Sequence, residues 1–185
     1  MGLKYRIVAL AAAMPWFMLT AGCEGSGPED LAQDAFVQGY PCAKGHAWFY
    51  DGGRLRSCTL SRDAAFGQAR VEKGSIIFLR EDGTPLRADL LHASTVAGVR
   101  CAGAGLLGPQ EGSVTEFYPD GHMKLCFLPE DATVQGVPCA RGGFWKATFS
   151  HEYPVELDEH GRLMSCGLAR DFDGHSRGDK YVLAE

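Results

Sequence analysis

What most constrains this chain is that it repeats itself. Residues 31–42 (LAQDAFVQGYPC) and 128–139 (LPEDATVQGVPC) agree at eight of twelve positions, and so do residues 52–63 and 160–171. Such a chain is a stack of small supersecondary units, each burying its apolar face only against its neighbours. The frame continues through the degenerate middle. Cys126 to Cys139 is a step of 13 residues, and the same step leads from Cys58 to Val71 and from Ala88 to Cys101. A leucine stands two positions after each first member, at Leu60, Leu90 and Leu128, and again after Cys166 at Leu168; Leu31 falls in the same phase. The chain therefore reads as four tandem modules. They open at Cys42, Val71, Cys101 and Cys139 and close at Cys58, Ala88, Cys126 and Cys166, with only the opening-to-closing distance varying, from 16 to 27 residues.

Each module reads as short strands. A Val-x-Gly strand leads to the opening position, and a second strand carries apolar and aromatic residues: Trp48-Phe49-Tyr50, Ile76-Ile77-Phe78, residues 114–118 and 155–157. Turns follow at Asp51-Gly52-Gly53, Asp82-Gly83, Pro119-Asp120-Gly121 and Glu159-His160-Gly161, the composition a hairpin uses where the backbone needs positive φ. A third strand runs through the closing position to its leucine. Gly39, Gly98 and Gly136 are assigned to strand interiors. No stretch carries a helical apolar period, so the expected class is all-β, a series of tandem antiparallel hairpins.

Six cysteines lie in the repeats: Cys42, Cys58, Cys101, Cys126, Cys139 and Cys166. An even number in an exported chain implies a disulfide framework, and the absence of Cys-x-x-Cys argues against a thioredoxin-like redox pair or a zinc knuckle. Module two lacks a cysteine at both its opening position, Val71, and its closing position, Ala88. Joint loss is what pairing within a module predicts: Cys42 with Cys58, Cys101 with Cys126, Cys139 with Cys166. In a flat three-strand meander the first and third strands would be about 9.5 Å apart, beyond disulfide reach. The module must then curl or lay those strands side by side.

The amino terminus says where such a chain goes. Lys4 and Arg6 precede an uncharged, mostly apolar run over residues 7–20, which ends in Thr20-Ala21-Gly22-Cys23. This resembles the lipobox of bacterial lipoproteins. The resemblance implies cleavage before Cys23, diacylation of its thiol and acylation of the new terminus, which together give stable anchoring. Glu24, where an inner-membrane retention signal would be Asp, points to the outer membrane, facing the periplasm or the exterior. The expected organisation is a signal peptide over 1–22, the acylated cysteine and a tether over 23–30, and one β-repeat domain over 31–185. Loss of residues 1–22 takes Lys4 and Arg6 with it and leaves a net charge of −7. An acidic chain has no electrostatic footprint for nucleic acid or anionic headgroups, so attachment to the membrane falls to the lipid.

Phe117-Tyr118-Pro119-Asp120-Gly121 resembles the hairpin unit of MORN-type repeats, which implies an elongated, twisted antiparallel meander. The module here is longer, and its cysteines have no counterpart in those families.

No chemistry is visible beside this framework. None of the six histidines pairs with another at a metal-binding spacing, and His151-Glu152 lacks the second histidine of a zincin motif. Asp34, Asp63, Asp131 and Asp171 recur at one repeat position, which suits a carboxylate bonding backbone amides in a turn better than a unique catalytic acid or base. Asp171-Phe172-Asp173-Gly174 resembles the start of a calcium loop, but the later ligands do not follow. Serine-nucleophile and phosphate-cradling motifs are absent. We therefore expect no cofactor, no metal and no catalysis, and a lipoprotein that presents a β surface to another envelope protein or to an envelope polymer. The rival readings are an envelope enzyme, either a hydrolase or a thiol oxidoreductase, and an immunity or inhibitor lipoprotein. The candidate binding residues are in the insert of module four, residues 140–154: Phe144, Trp145, Lys146, Phe149, His151 and Tyr153. Exposed aromatics there would anchor a partner; alternatively, they cap the end of the sheet. The module-three insert, 102–113, is glycine-rich.

Overall fold

The computed structural model describes residues 27–67, 69–104, 114–142 and 153–183. Among them are seventeen strands and no helix. Ten strands form one long meander in the order β1 (Gly27–Leu31), β3 (Tyr40–Phe49), β4 (Leu55–Leu60), β7 (Ile76–Leu79), β8 (Pro85–Asp89), β11 (Val114–Phe117), β12 (Met123–Cys126), β15 (Val155–Leu157), β16 (Leu163–Gly167) and β17 (Lys180–Val182). Every neighbouring pair is antiparallel. β2 (Ala35–Val37) folds back on the start of β3. Three small hairpins stand apart from the meander: β5 (Ala64–Phe66) with β6 (Ala69–Val71), β9 (Ser94–Val96) with β10 (Val99–Cys101), and β13 (Ala132–Val134) with β14 (Val137–Cys139).

A module is thus two hairpins, a small one and a large one, rather than three strands. The Val-x-Gly segment is not one strand. It turns at Gln38-Gly39, Ala97-Gly98 and Gln135-Gly136, where both residues have positive φ, 49° and 92°, 49° and 82°, 48° and 90°. Two successive left-handed residues make the two-residue turn that matches the twist of its flanking strands. Gly39, Gly98 and Gly136 therefore belong to turns and not to strand interiors. The sequence concealed this because a two-residue turn between three-residue strands leaves no polar break in a β-rich run. In module one the small hairpin continues without interruption into the large one, which is why β3 is ten residues long.

The large hairpins close alike. The N–H of Tyr50, Arg80, Tyr118 and Asp158 donates to the carbonyl of Arg54, Thr84, His122 and Arg162 at 2.8–2.9 Å. Gly53, Gly83, Gly121 and Gly161 have positive φ. The register slips just before each turn. This is the three-residue loop with its glycine bulge.

Period-two alternation then puts the repeat frame onto one rung. Ala47, Cys58, Ile77, Ala88, Thr115, Cys126 and Val155 lie side by side across the sheet, all buried. The closing positions are on this inward rung. Over it lie the small hairpins, whose Phe66, Val71, Val96, Val99, Val134 and Val137 complete the core. Phe66 is central. Its ring meets Tyr40 of module one at 5.8 Å and Phe117 of module three at 5.1 Å, both edge-on.

The disulfides are Cys42–Cys58, Cys101–Cys126 and Cys139–Cys166, with Cα separations of 5.7, 5.6 and 5.7 Å. The opening segment reaches the closing strand by lying alongside it. Ala102 N–H donates to Phe127 O, and Ala140 N–H to Gly167 O, both at 2.7 Å. In module two, fully buried Val71 and Ala88 fill the place of the bridge.

The recurring aspartates do what their position suggested. Asp34, Asp63, Asp131 and Asp171 accept the amides of Lys44, Lys73, Arg141 and Arg177 at 2.8–2.9 Å. The remaining module has Ala93 at this position, and the basic residue is lost with the acid. Gly103 stands there instead, where a Cβ would lie 2.2 Å from the His92 carbonyl carbon.

Neighbouring modules are clamped through the residue that begins each large turn. Tyr50 Oη donates to Leu79 O at 2.8 Å, Arg80 Nη2 to Phe117 O at 2.9 Å, and Tyr118 Oη to Leu157 O at 3.0 Å. The series stops at module four with Asp158, whose carboxylate instead accepts from Arg162 within its own turn.

One expectation is corrected at the amino-terminal end. The tether assigned to 23–30 is structured from Gly27 onward, because β1 pairs with β3 along its whole length. The Asp171–Gly174 segment is another small turn, with Asp173 and Gly174 at positive φ and Phe172 bridged to His175. The aspartates of this segment bond Arg177 N–H and Tyr181 Oη.

Candidate binding face

The small hairpins cover only one face of the meander. On the other face the rung offset by one residue reads Trp48, Ser57, Phe78, Arg87, Glu116, Leu125, Glu156, Ser165, Val182. Among the described residues no second layer lies over it. The face has two halves. Modules one and two contribute aromatic, aliphatic and guanidinium groups, whereas modules three and four set Leu125 and Val182 among Glu116, Glu156 and their lysine partners Lys124 and Lys180, at 3.7 and 3.4 Å.

The first half holds a recess of about 250 Å³ lined by Tyr50, Arg56, Phe78, Leu79, Leu86 and Arg87. Its walls are held in place. Tyr50 is pinned by its bond to Leu79 O, and the Arg56 guanidinium stands 5.7 Å from its ring centroid. Arg87 lies 4.2 Å from the centroid of Phe78. Beside the recess Trp48 is 46% exposed, and Leu86 within it is 38% exposed. Large apolar side chains held open to solvent beside cations are the composition of interaction surfaces rather than of ordinary solvated β faces.

Electrostatics add one buried element. Asp89 is almost inaccessible, and burial pushes its carboxyl above the ordinary range against the pull of Arg87. Arg87 Nη2 donates to Asp89 Oδ2 at 3.2 Å, while Nε and Oδ1, 3.2 Å apart, attract without a hydrogen-bond alignment. Asp89 thus holds the Arg87 guanidinium beside the Phe78 ring. Elsewhere carboxylates lie below the ordinary range: Asp63 through the Lys73 amide and Arg70, Asp82 through Thr84, Asp120 through His122, and Asp158 through the Arg162 amide. Tyr118 is raised, chiefly by burial and then by the carboxylates around module four. These shifts belong to turns and connectors and gather no acid–base pair in one cleft.

Of the module-four insert, Tyr153 is described. It packs against Gly167 of β16, with Lys180 Nζ 5.8 Å from its ring centroid. Phe144, Trp145, Lys146, Phe149 and His151 lie outside the described residues, as does Cys23. The six repeat cysteines are consumed by disulfides. Among the described residues no three His, Cys, Asp or Glu side chains converge on a metal position.

The recess was not singled out by sequence reasoning. Its signal was present, since Trp48, Tyr50 and Phe78 are the aromatics of the second strands, but the partners that make it a recess come from different modules. No protein family matches this chain, and neither a curated protein nor a solved structure matches it significantly.

Proposed function

We propose that this protein is a lipid-anchored, non-catalytic repeat lipoprotein of the bacterial envelope, held at the outer membrane, which binds an envelope protein or polymer through the open face of its sheet. The observation that carries the reading is the recess of modules one and two, with Trp48 and Leu86 exposed beside Arg56 and Arg87. It stands on the strands nearest the amino-terminal cysteine, so an anchor at Cys23 would tether the binding half of the sheet most closely. The lipobox sequence supports the address, and the rigid disulfide-stapled frame supports presentation of a pre-formed surface, which lowers the ordering cost of association.

Two measurements test this. Cys23→Ala should leave an uncleaved precursor that takes up no labelled fatty acid, and normal labelling would overturn the address. For the face, a photoreactive residue at position 86 should cross-link a partner or envelope polymer in cells, and Arg56→Ala should reduce the yield. The same residue at position 70, on a small hairpin, serves as the opposite-layer control. Equal cross-linking from both positions would remove the binding role from the open face.

A further inference from the structure

Both edges of the long sheet are fragments of a module. β1 is in the phase of a closing strand: Glu29 faces Ala47 on the rung of Cys58, Ala88 and Cys126, and Leu31 follows two residues later. β17 is in the phase of the strand before a large turn. Tyr181 faces Cys166 as Ile77 faces Cys58 and Thr115 faces Ala88. Its own small turn precedes it at Asp173-Gly174. No described strand lies outside either edge. We propose that β17 of one molecule takes β1 of a second copy as its closing strand, so that the joint is a fifth module shared between two chains.

The repeat frame sets the register. Within module two Ile77 faces Ala88 and Ile76 faces Asp89. By the same rule Tyr181 faces Glu29 of the second copy, Lys180 faces its Asp30 and Val182 faces its Pro28. The charged pair is complementary, and opposite charges across an antiparallel pair favour this alignment over its neighbours. Backbone groups are available on both sides. Leu183 N–H donates inward to Met164 O at 2.9 Å and Leu168 N–H reaches Asp179 O, so by alternation the N–H and C=O of Lys180 and Val182 point outward. Asp30 can exchange both bonds with Lys180. Pro28 can accept from Val182 but has no N–H to return, which weakens the joint without closing it.

Ten strands lie on the path, each antiparallel to the next, so β1 and β17 run in opposite directions. A second copy then joins in the same sense as the first. Such a contact is heterologous and adds further copies instead of stopping at two. The joint lies at the sheet edges, away from the recess of modules one and two, and the inference stands whichever partner that recess takes.

The test is sedimentation of the full chain in non-ionic detergent over a wide range of concentration. Species beyond the dimer should grow with concentration. Val182→Pro removes only an outward donor and should return the chain to monomer with its melting temperature nearly unchanged. Lys180→Asp should weaken association about tenfold or more, and Lys180→Asp combined with Asp30→Lys should restore it. A monomer at every concentration, a dimer that grows no further, or association undiminished by Val182→Pro would overturn the proposal.

Discussion

Reduction of the three disulfides should unfold the domain at temperatures where the oxidised protein is fully folded. The bridges close loops of 16, 25 and 27 residues. Chain entropy alone assigns each about 3 to 3.5 kcal/mol, or about 10 kcal/mol together, which is on the order of the whole stability of a domain. Each bridge also ties a small hairpin to the sheet, so its loss frees a piece of the covering layer. Removing one bridge, for example with Cys139→Ser and Cys166→Ser, should cost about 3 to 4 kcal/mol. Module two supplies the converse. Val71→Cys with Ala88→Cys should form a fourth bridge and raise stability by about 3 kcal/mol if Val71 and Ala88 stand as the other pairs do. Thermal denaturation with and without reductant measures the first effect, and peptide mapping the second. A midpoint that moves only a few degrees on complete reduction, or a fragment joining Cys126 to Cys139, would refute this account.

Phe66→Ala should be the most damaging single truncation, at about 3 to 5 kcal/mol. Most small hairpins place valine where Phe66 stands, at Val37, Val96 and Val134. This one ring is fully buried and touches Tyr40 and Phe117 from the modules on either side. Its removal opens a cavity where three modules meet, and the neighbouring backbone leaves little room to collapse into it. A Cβ on adjacent Gly67 would already lie 2.2 Å from Gly121 Cα. The expected loss corresponds to a fall in melting temperature of about 10 °C or more, whereas Arg70→Ala, which truncates an exposed side chain on the strand beside it, should change the midpoint little. A Phe66→Ala variant that melts with the wild type would show that the layers are held together elsewhere.

Several parts of this fold were legible because they depend on residues near one another in the chain. The 13-residue step, the glycines of the large turns and the leucine two positions beyond each closing residue all appear in the structure as they stand in the sequence. Disulfide pairing followed from the absence of both cysteines in module two, an argument that needs no geometry. The role of Asp34, Asp63, Asp131 and Asp171 followed from their recurrence, because an acid that recurs at one repeat position serves the repeat. The small hairpins were not legible. A turn of two residues such as Gln38-Gly39 costs no polar break and no change of period, so strand, turn and strand read as a single strand. Nor was β1, since Gly27, Pro28, Glu29 and Asp30 have the composition of a linker and become a strand only because β3 offers them an edge.

The class, the number of modules and which cysteines meet follow from residue order alone, since each is a matter of period and phase along the chain. The folded chain alone sets which face of the sheet is covered, brings Tyr50, Arg56, Phe78 and Leu86 together into a recess, and makes each edge of the described sheet half a module. Those features arise between strands distant in the chain, where side chains are brought together by register and layer stacking. Alternation along a strand separates two sets of residues, but it does not say which set the small hairpins will bury. That choice rests on the shape and apolar area that Phe66 and the valines of the small hairpins present to one face.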